Sequence, residues 1–428
     1  MRVLFVGLTL AVLSGCASYS QSFQKVELLL SQQKPQEALL EVEKRADSGK
    51  NQLLYLLDKA MLQRMSGLFV ESNATFEQAK ILIEELRAVS LVEQAGALTI
   101  NDSMMSYEGE DYEQIAVHIY AALNYIELGL WDEARVEALQ VDVLQKKIAE
   151  DNDGVSIEDA FSRYLTGLIY EQGSEWSDAM IAYREAYRLY QKNKQVVPIF
   201  LKHDLLRLSR YLGLDHEYKQ YQKSFELKKT LSLRKLKRQG EVVVLLHHSL
   251  APIKRAENVF VMGESGVQHR VSLPAYYSRP SYVSHAQLWV GKTSIDMVVA
   301  DDFDMLARKS LESHKGAMIA RLITRAILKK NISNQVSDNN GSLAGFLVDV
   351  ASMATETADT RSWLTLPKNI LFARLPLQSG TYPAKLILFG DQGQVLETMP
   401  LADVEVKRGK KTMLERTYVR PYVSEKKE

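Results

Sequence analysis

The sequence predicts an α-helical solenoid of helix–turn–helix repeats followed by an α+β domain, and three observations predict it. From Ser20 to about Phe225 apolar residues recur at i, i+3, i+4 and i+7, the stripe of an amphipathic helix, with almost no strand signal. Small and aromatic residues repeat in one register through that stretch, the mark of a repeat array. At Gly240 the pattern switches to β-branched runs such as Glu241-Val-Val-Val-Leu-Leu246. A chain of 428 residues, 46% hydrophobic and 25% charged, is long enough to build such cored units.

Taken in order, the chain opens on Arg2 and the apolar run Val3–Leu13, the n- and h-regions of a secretory signal rather than a membrane span. Leu13-Ser14-Gly15-Cys16 follows, and it resembles the lipobox of bacterial lipoproteins. Cys16 is the only cysteine. The resemblance implies cleavage before Cys16, a diacylglycerol on its thiol and an acyl chain on its new N-terminus. Residues 1–15 are then the signal and 16–20 the lipidated tether. Each buried methylene contributes about 0.8 kcal/mol, so two or three chains hold where one does not. Ala17 rather than Asp follows the cysteine. In Gram-negative lipoproteins that implies the outer membrane, facing the periplasm. A lone cysteine excludes a disulfide or a thiolate metal site after processing. Lys+Arg and Asp+Glu each number 53, a formal charge of zero that argues against nucleic acid.

Residues 21–228 carry the repeats. Gly167, Tyr170, Ala179, Tyr183 and Ala186 fall at the small and aromatic signature positions of a tetratricopeptide repeat. Ala122, Tyr125, Gly129, Trp131 and Ala134 form a second copy, and Ala60, Gly67, Phe69, Ser72, Phe76 and Ala79 a third. A weaker copy surrounds Ala38 after Lys34-Pro35, and a degenerate hairpin turns at Gly213. The register resembles the tetratricopeptide family. Small residues let two helices approach, and aromatics fill the space against the next hairpin. The stretches Glu84–Tyr112 and Lys147–Glu158 are insertions or extended helices. Residues 229–239 are expected to form a basic linker helix, whose charges mark a solvated face more readily than a lipid contact.

In such repeats the first helix of each hairpin lines a concave groove. The register puts Leu57, Met61 and Arg64 there, then Ile119, Leu123 and Ile126, then Phe161, Tyr164, Leu168 and Glu171. Mixed apolar, aromatic and charged groups suit an extended peptide or a partner helix. The alternative is that these side chains pack against the C-terminal domain or the insertions. The sequence leaves both open.

Residues 240–423 form the α+β domain, with a charged tail at 424–428. Glu241–Leu246 reads as a strand buried on both faces; others are expected at Asn258–Met262, Ala286–Val290 and Ser294–Val299. Helices follow at Phe303–Lys330 and Leu343–Thr355, separated by the polar loop Asn331–Ser342. Strands return at Ile370–Arg374, Tyr382–Phe389, Gln394–Met399 and Ala402–Lys407. Gly240-Glu-Val-Val-Val-Leu, Leu250-Ala-Pro252 and Ala358-Asp359-Thr-Arg361-Ser-Trp363-Leu-Thr-Leu-Pro367 resemble motifs of a family of Gram-negative outer-membrane lipoproteins. That family joins tetratricopeptide-like repeats to a C-terminal domain of this type. Its genes often lie beside lipoproteins that activate penicillin-binding proteins. The resemblance implies an architecture, a location and a context of envelope growth, and it brings no catalytic residues.

The best candidate for chemistry is Asp359, Arg361 and Trp363. The first two pair naturally as a structural corner with Trp363 in the core. Alternatively Trp363 stacks on a sugar, helped by Arg361, Tyr276 and Tyr277. Adjacent strand residues His247 and His248 point to opposite faces and do not share a metal. Asp301, Asp302 and Asp304 fit the cap of a helix better than a calcium loop. Phosphate cradles and the Gly-x-Ser-x-Gly elbow are absent from the sequence. The expected function is therefore non-catalytic, with no metal and no cofactor beyond the lipid on Cys16. It is that of a lipid-anchored periplasmic scaffold for envelope proteins, with peptidoglycan or glycan binding, or membership of a secretion or appendage assembly, as alternatives.

Overall fold

The computed structural model describes residues 19, 23–45, 49–93, 105–151, 158–227, 230–262, 268–340 and 358–420. Cys16, the tail 424–428 and the helix expected at Leu343–Thr355 lie outside them. The described helical half contains five hairpins: α1 (Gln24–Ser31) with α2 (Pro35–Glu43), α3 (Gln52–Met65) with α4 (Phe69–Glu93), α5 (Asp111–Glu127) with α6 (Trp131–Asp151), α7 (Ala160–Gln172) with α8 (Trp176–Lys192), and α9 (Ile199–Tyr211) with α10 (Asp215–Phe225).

One turn chemistry is used at every hairpin. Gln33, Gly67, Gly129, Ser174 and Gly213 take positive φ, between 59° and 79°. The next residue's N–H then reaches the carbonyl five residues back: Lys34 to Leu29, Leu68 to Gln63, Leu130 to Tyr125, Glu175 to Tyr170 and Leu214 to Ser209, at 2.8–3.0 Å. These bonds satisfy helix-end carbonyls that would otherwise be orphaned, and glycine takes the left-handed backbone without strain. Inside the hairpins the small residues act as the register predicts. A Cβ on Gly167 would stand 2.4 Å from the Tyr183 ring, so only glycine lets α7 and α8 meet. Ala60, Ala134, Ala179 and Ala186 are fully buried.

After the one-turn helix α11 (Leu233–Leu236) come β1 (Gly240–His248), β2 (Ile253–Met262), β3 (Gln268–Tyr277), β4 (His285–Val290), β5 (Thr293–Asp296) and β6 (Val298–Asp302). Helix α12 (Phe303–Asn340) precedes β7 (Asn369–Leu377), β8 (Gly380–Phe389), β9 (Val395–Val406) and β10 (Lys411–Tyr418). They form sheets ordered β10-β1-β7-β6 and β5-β4-β8-β9, with β2-β3 a separate ribbon. The first sheet is the middle layer. Along β1, Val243 and Leu245 join one core with the solenoid, while Val242, Val244 and Leu246 join a second core with the other sheet. Burial on both faces is why this strand reads as a continuous apolar run.

Several sequence expectations change in detail. The basic linker is helical only at Leu233–Leu236, whose two leucines are buried. Lys237 places its ammonium 4.2 Å from the Trp176 ring centre, a cation–π contact within the protein rather than a lipid contact. The stretch Ser294–Val299 is two strands in different sheets, broken at Met297. Gln394–Met399 and Ala402–Lys407 are one strand, because β9 is an edge and tolerates the missing N–H of Pro400. Helix α12 runs on to Asn340, through most of the expected loop. Strands β3 and β10 went unrecognised; Arg, Lys and Glu interrupt their apolar alternation.

Candidate functional site: the solenoid face and what fills it

All ten residues expected to line the groove are buried. Leu57, Met61, Arg64, Ile119, Leu123, Ile126, Phe161, Tyr164, Leu168 and Glu171 are each at most 7% exposed. The groove is therefore not an open partner site: the middle sheet of the same chain occupies it. Phe372 of β7 meets Phe161, Tyr164 and Phe200 at ring distances of 4.5–6.5 Å. Tyr190 donates to the carbonyl of Ala300 in β6 at 2.6 Å.

At the centre of this contact stands Arg374 of β7. Its guanidinium donates to Glu171 at 2.6 Å, to Asp204 at 2.9 Å and to Glu241 at 2.7 Å. Arg207 pairs with Asp204, and Lys411 lies 3.5 Å from Glu171. Three cations thus meet three carboxylates in a buried interface. Burial opposes ionisation of Glu171, but Arg374, Lys411 and Arg207 more than offset it and hold its carboxyl well below the usual range. Glu241 is lowered for the same reason, burial being outweighed by Arg374 and Lys411. Tyr164 donates to Asp204 at 3.0 Å and Tyr183 to Glu171 at 2.6 Å, so the repeat's aromatic positions also orient the charges.

The Asp359–Trp363 segment is the second interlock. Asp359 accepts from the Arg361 backbone N–H and, at 2.6–3.1 Å, from its guanidinium, and Arg361 also donates to the carbonyls of Lys50 and Met105. Trp363 is fully buried, edge-on to Phe76 and Tyr120. Its N–H donates to Glu113 at 2.8 Å and its indole N–H to Thr365 at 2.8 Å. Thr365 in turn donates to Asp58, which also accepts from Tyr19. Burial raises the Asp58 carboxyl to about 6; burial and neighbouring Glu110 raise Glu113 to about 7. Trp363, Tyr276 and Arg361 are all buried, so the residues named for sugar stacking form no exposed platform, and only Tyr277 is exposed.

His247 and His248 do diverge. His247 lies between Tyr120 (3.3 Å) and Glu415 (3.0 Å), while His248 bonds Asn369 and Ser281 at 3.0 Å. Burial and Arg64 hold His247 well below its usual range, so it stays neutral. Asp302 caps α12 through the Met305 N–H at 3.0 Å, and Asp304 pairs with Arg308 at 2.8 Å. Among the described residues no group of three or more His, Cys, Asp or Glu is placed to hold a metal, and no helix is long and apolar enough to cross a membrane. Reading by motif missed Arg374, Glu241, Asp204, Asp58 and Glu113. Arg374 and Asp58 carried a signal, a charge inside or closing an apolar run, as in Leu-Phe-Ala-Arg374-Leu and Leu-Tyr-Leu-Leu-Asp58. Glu113 and Asp204 stand beside other polar residues, Glu241 opens its run after Gly240, and these three carried none.

No family model matches the chain, and no curated protein matches it. Solved structures do. A tetratricopeptide repeat protein from Parabacteroides merdae is 13% identical over 49% of this chain and 68% of its own, with a TM-score of 0.31. A set of nearly identical TPR-like repeats from Podosopora anserina is 15% identical over 48% of this chain and 92% of its own, at 0.32. The apo form of RapI is 9% identical over 82% and 79%, at 0.37. At scores this low these likenesses add nothing to the helical-repeat architecture read from the structure itself.

Proposed function

We propose that this protein is a lipid-anchored, non-catalytic scaffold of the outer membrane that holds envelope proteins on the periplasmic side. The observation that carries the reading is the internal use of its polar chemistry. The solenoid's inner face and the Asp359–Trp363 corner are spent on joining the two halves into one body. Partners then dock on the outside of that body. There Val136, Leu139 and Val143 lie one helical turn apart on α6 and are 41–57% exposed. The lone Cys16 after Leu13-Ser14-Gly15 supports the tether, and confinement to a surface raises the effective concentration of whatever is bound.

The test has two parts. Metabolic labelling with a fatty-acid analogue should tag the wild type and not Cys16→Ala. Photo-crosslinking in native envelopes from positions on α6 should recover one specific envelope protein. A chain that stays unlabelled, or one that crosslinks nothing above background, defeats the proposal.

A further inference from the structure

Where the middle sheet ends at β10, the solenoid does not. Sheet order makes β10 an edge, paired only with β1 and in parallel. The carbonyls of Lys410 and Tyr418 accept bonds from the β1 side, namely from Glu241 and Ser249. Backbone groups alternate along a strand, so those of Met413, Glu415 and Thr417 point away from β1. Among the described residues no backbone–backbone bond reaches that outer edge; the Glu415 carbonyl accepts from the Arg416 guanidinium at 2.7 Å. Exposed edges are normally blunted or covered, because they template pairing with another chain.

This edge borders a cleft of about 390 Å³, lined by the consecutive residues Leu414–Thr417 on one side. Arg64, Met65 and Phe69 form the solenoid wall, and Met399 of β9 closes the other side. Gln33, donating to the Val419 carbonyl at 3.4 Å, bounds one end. The Thr412 hydroxyl, donating to the Glu405 carbonyl at 2.7 Å, ties the start of β10 to β9. At the floor, Glu415 is paired with Arg64 and His247, while its Oε1 is buried without a partner. The cleft continues the interface that the solenoid already makes with β1 and β7.

We infer that a partner protein docks here by strand addition, inserting an extended segment along β10 as a fifth strand of the middle sheet. Main-chain bonds to Met413, Thr417 and the Glu415 N–H hold the segment regardless of its sequence, and the Arg416 guanidinium gives up the Glu415 carbonyl as the segment enters. Alternation then sends one set of its side chains against Met65 and Phe69 and the other toward Met399, so an alternating apolar pattern is selected. Two arginines, Arg64 and Arg416, balance two carboxylates, Glu127 and Glu415, around the cleft. The occupant therefore needs no net charge. The inference rests on the scaffold reading and names the contact by which one partner is held.

The probe is a panel of acetylated, fluorescently labelled eight-residue peptides alternating Val or Ile with Ser or Thr, followed by anisotropy with the full mature chain. Saturable binding is expected. It should weaken at least tenfold with Thr417→Pro, which removes an outward N–H, and remain unchanged with Thr417→Ala. On the wild-type protein, N-methylation of alternate peptide nitrogens should abolish binding in one parity and spare it in the other, a readout that does not depend on a variant folding. Absence of saturable binding, equal sensitivity in both parities, or a dimer formed through β10 would each overturn the inference. Photo-crosslinking of the lipidated chain from Thr417 and from Val136 separates it from its premise. A partner captured from Val136 alone leaves the scaffold and removes the strand; capture from neither removes both.

Discussion

At the Glu171 end of the solenoid's inner face, Arg374 enters between three carboxylates, and Arg207 and Lys411 complete the balance of charge. At the Arg64 end, the same sheet presents its last strand, and a carboxylate oxygen of Glu415 has no partner among the described residues beside a cleft. Both ends use buried charge against the same layer of strands. The difference is that β7, β1 and the start of β10 all bring a charge to the first end, whereas the second end lies against the later part of β10, the last strand of the sheet. Buried ions gain enough from each other only when their geometry is complete. The closed end is therefore a structural lock, and at the open end the described residues leave hydrogen-bonding capacity on Glu415 and along β10 unused.

The largest test of this contrast is Arg374→Met. Removing the one cation that reaches all of Glu171, Asp204 and Glu241 leaves two cations, Arg207 and Lys411, against three buried carboxylates, and a loss of about 3–5 kcal/mol is expected. Urea denaturation measures it, and adding Glu171→Gln should recover part of the loss. A loss below ~1 kcal/mol would mean that the solenoid and sheet do not depend on this lock.

A second test uses pH. Glu113 keeps its proton in the fold to about 7 against an ordinary 4.5. Because the folded state binds that proton more tightly, its contribution is full below 4.5 and is lost as pH rises toward 7. The slope is about 1.4 kcal/mol per pH unit at most. Asp58, raised to about 6, acts in the same direction. Glu113→Gln should lower stability, since its carboxylate accepts from Trp363 and Tyr107. It should also flatten the profile between pH 5 and 7. Melting temperatures across that window decide; an unchanged slope would show that Glu113 ionises normally.

The smallest expected effect is on the outer face. Val136→Ser removes an exposed methyl pair from α6 and should move stability by less than about 0.5 kcal/mol. A larger loss would show that this face is covered in the folded protein, contrary to the contrast drawn between inner and outer surfaces.

Much of the architecture was legible because it is local. The glycines at 67, 129 and 213 sit where a left-handed turn is needed, and the alanines sit where helices touch. Burial of β1 on both faces was legible in its uninterrupted Val and Leu run. Strand β10 was not, because Glu415 and Arg416 break the pattern and only the chain's return beside β1 makes Lys411–Tyr418 a strand. The Asp359–Arg361 pair was readable from spacing; that Arg361 also ties down Lys50 and Met105, over 250 residues away in the chain, was not.

The sequence by itself determined the helical repeats, their turns, the switch to strands at Gly240 and the single cysteine on which the proposed lipid anchor rests. Those features follow from short-range sterics, periodicity and residue chemistry. Only the tertiary structure decided that the solenoid's inner face is filled by its own sheet and that, among the described residues, the sheet ends at an edge with no strand beyond β10. A groove lined with Tyr164, Leu168 and Glu171 has the same composition whether it holds a partner or Arg374 and Phe372. Composition sets what such a face can bind; the path of the chain sets what it does bind.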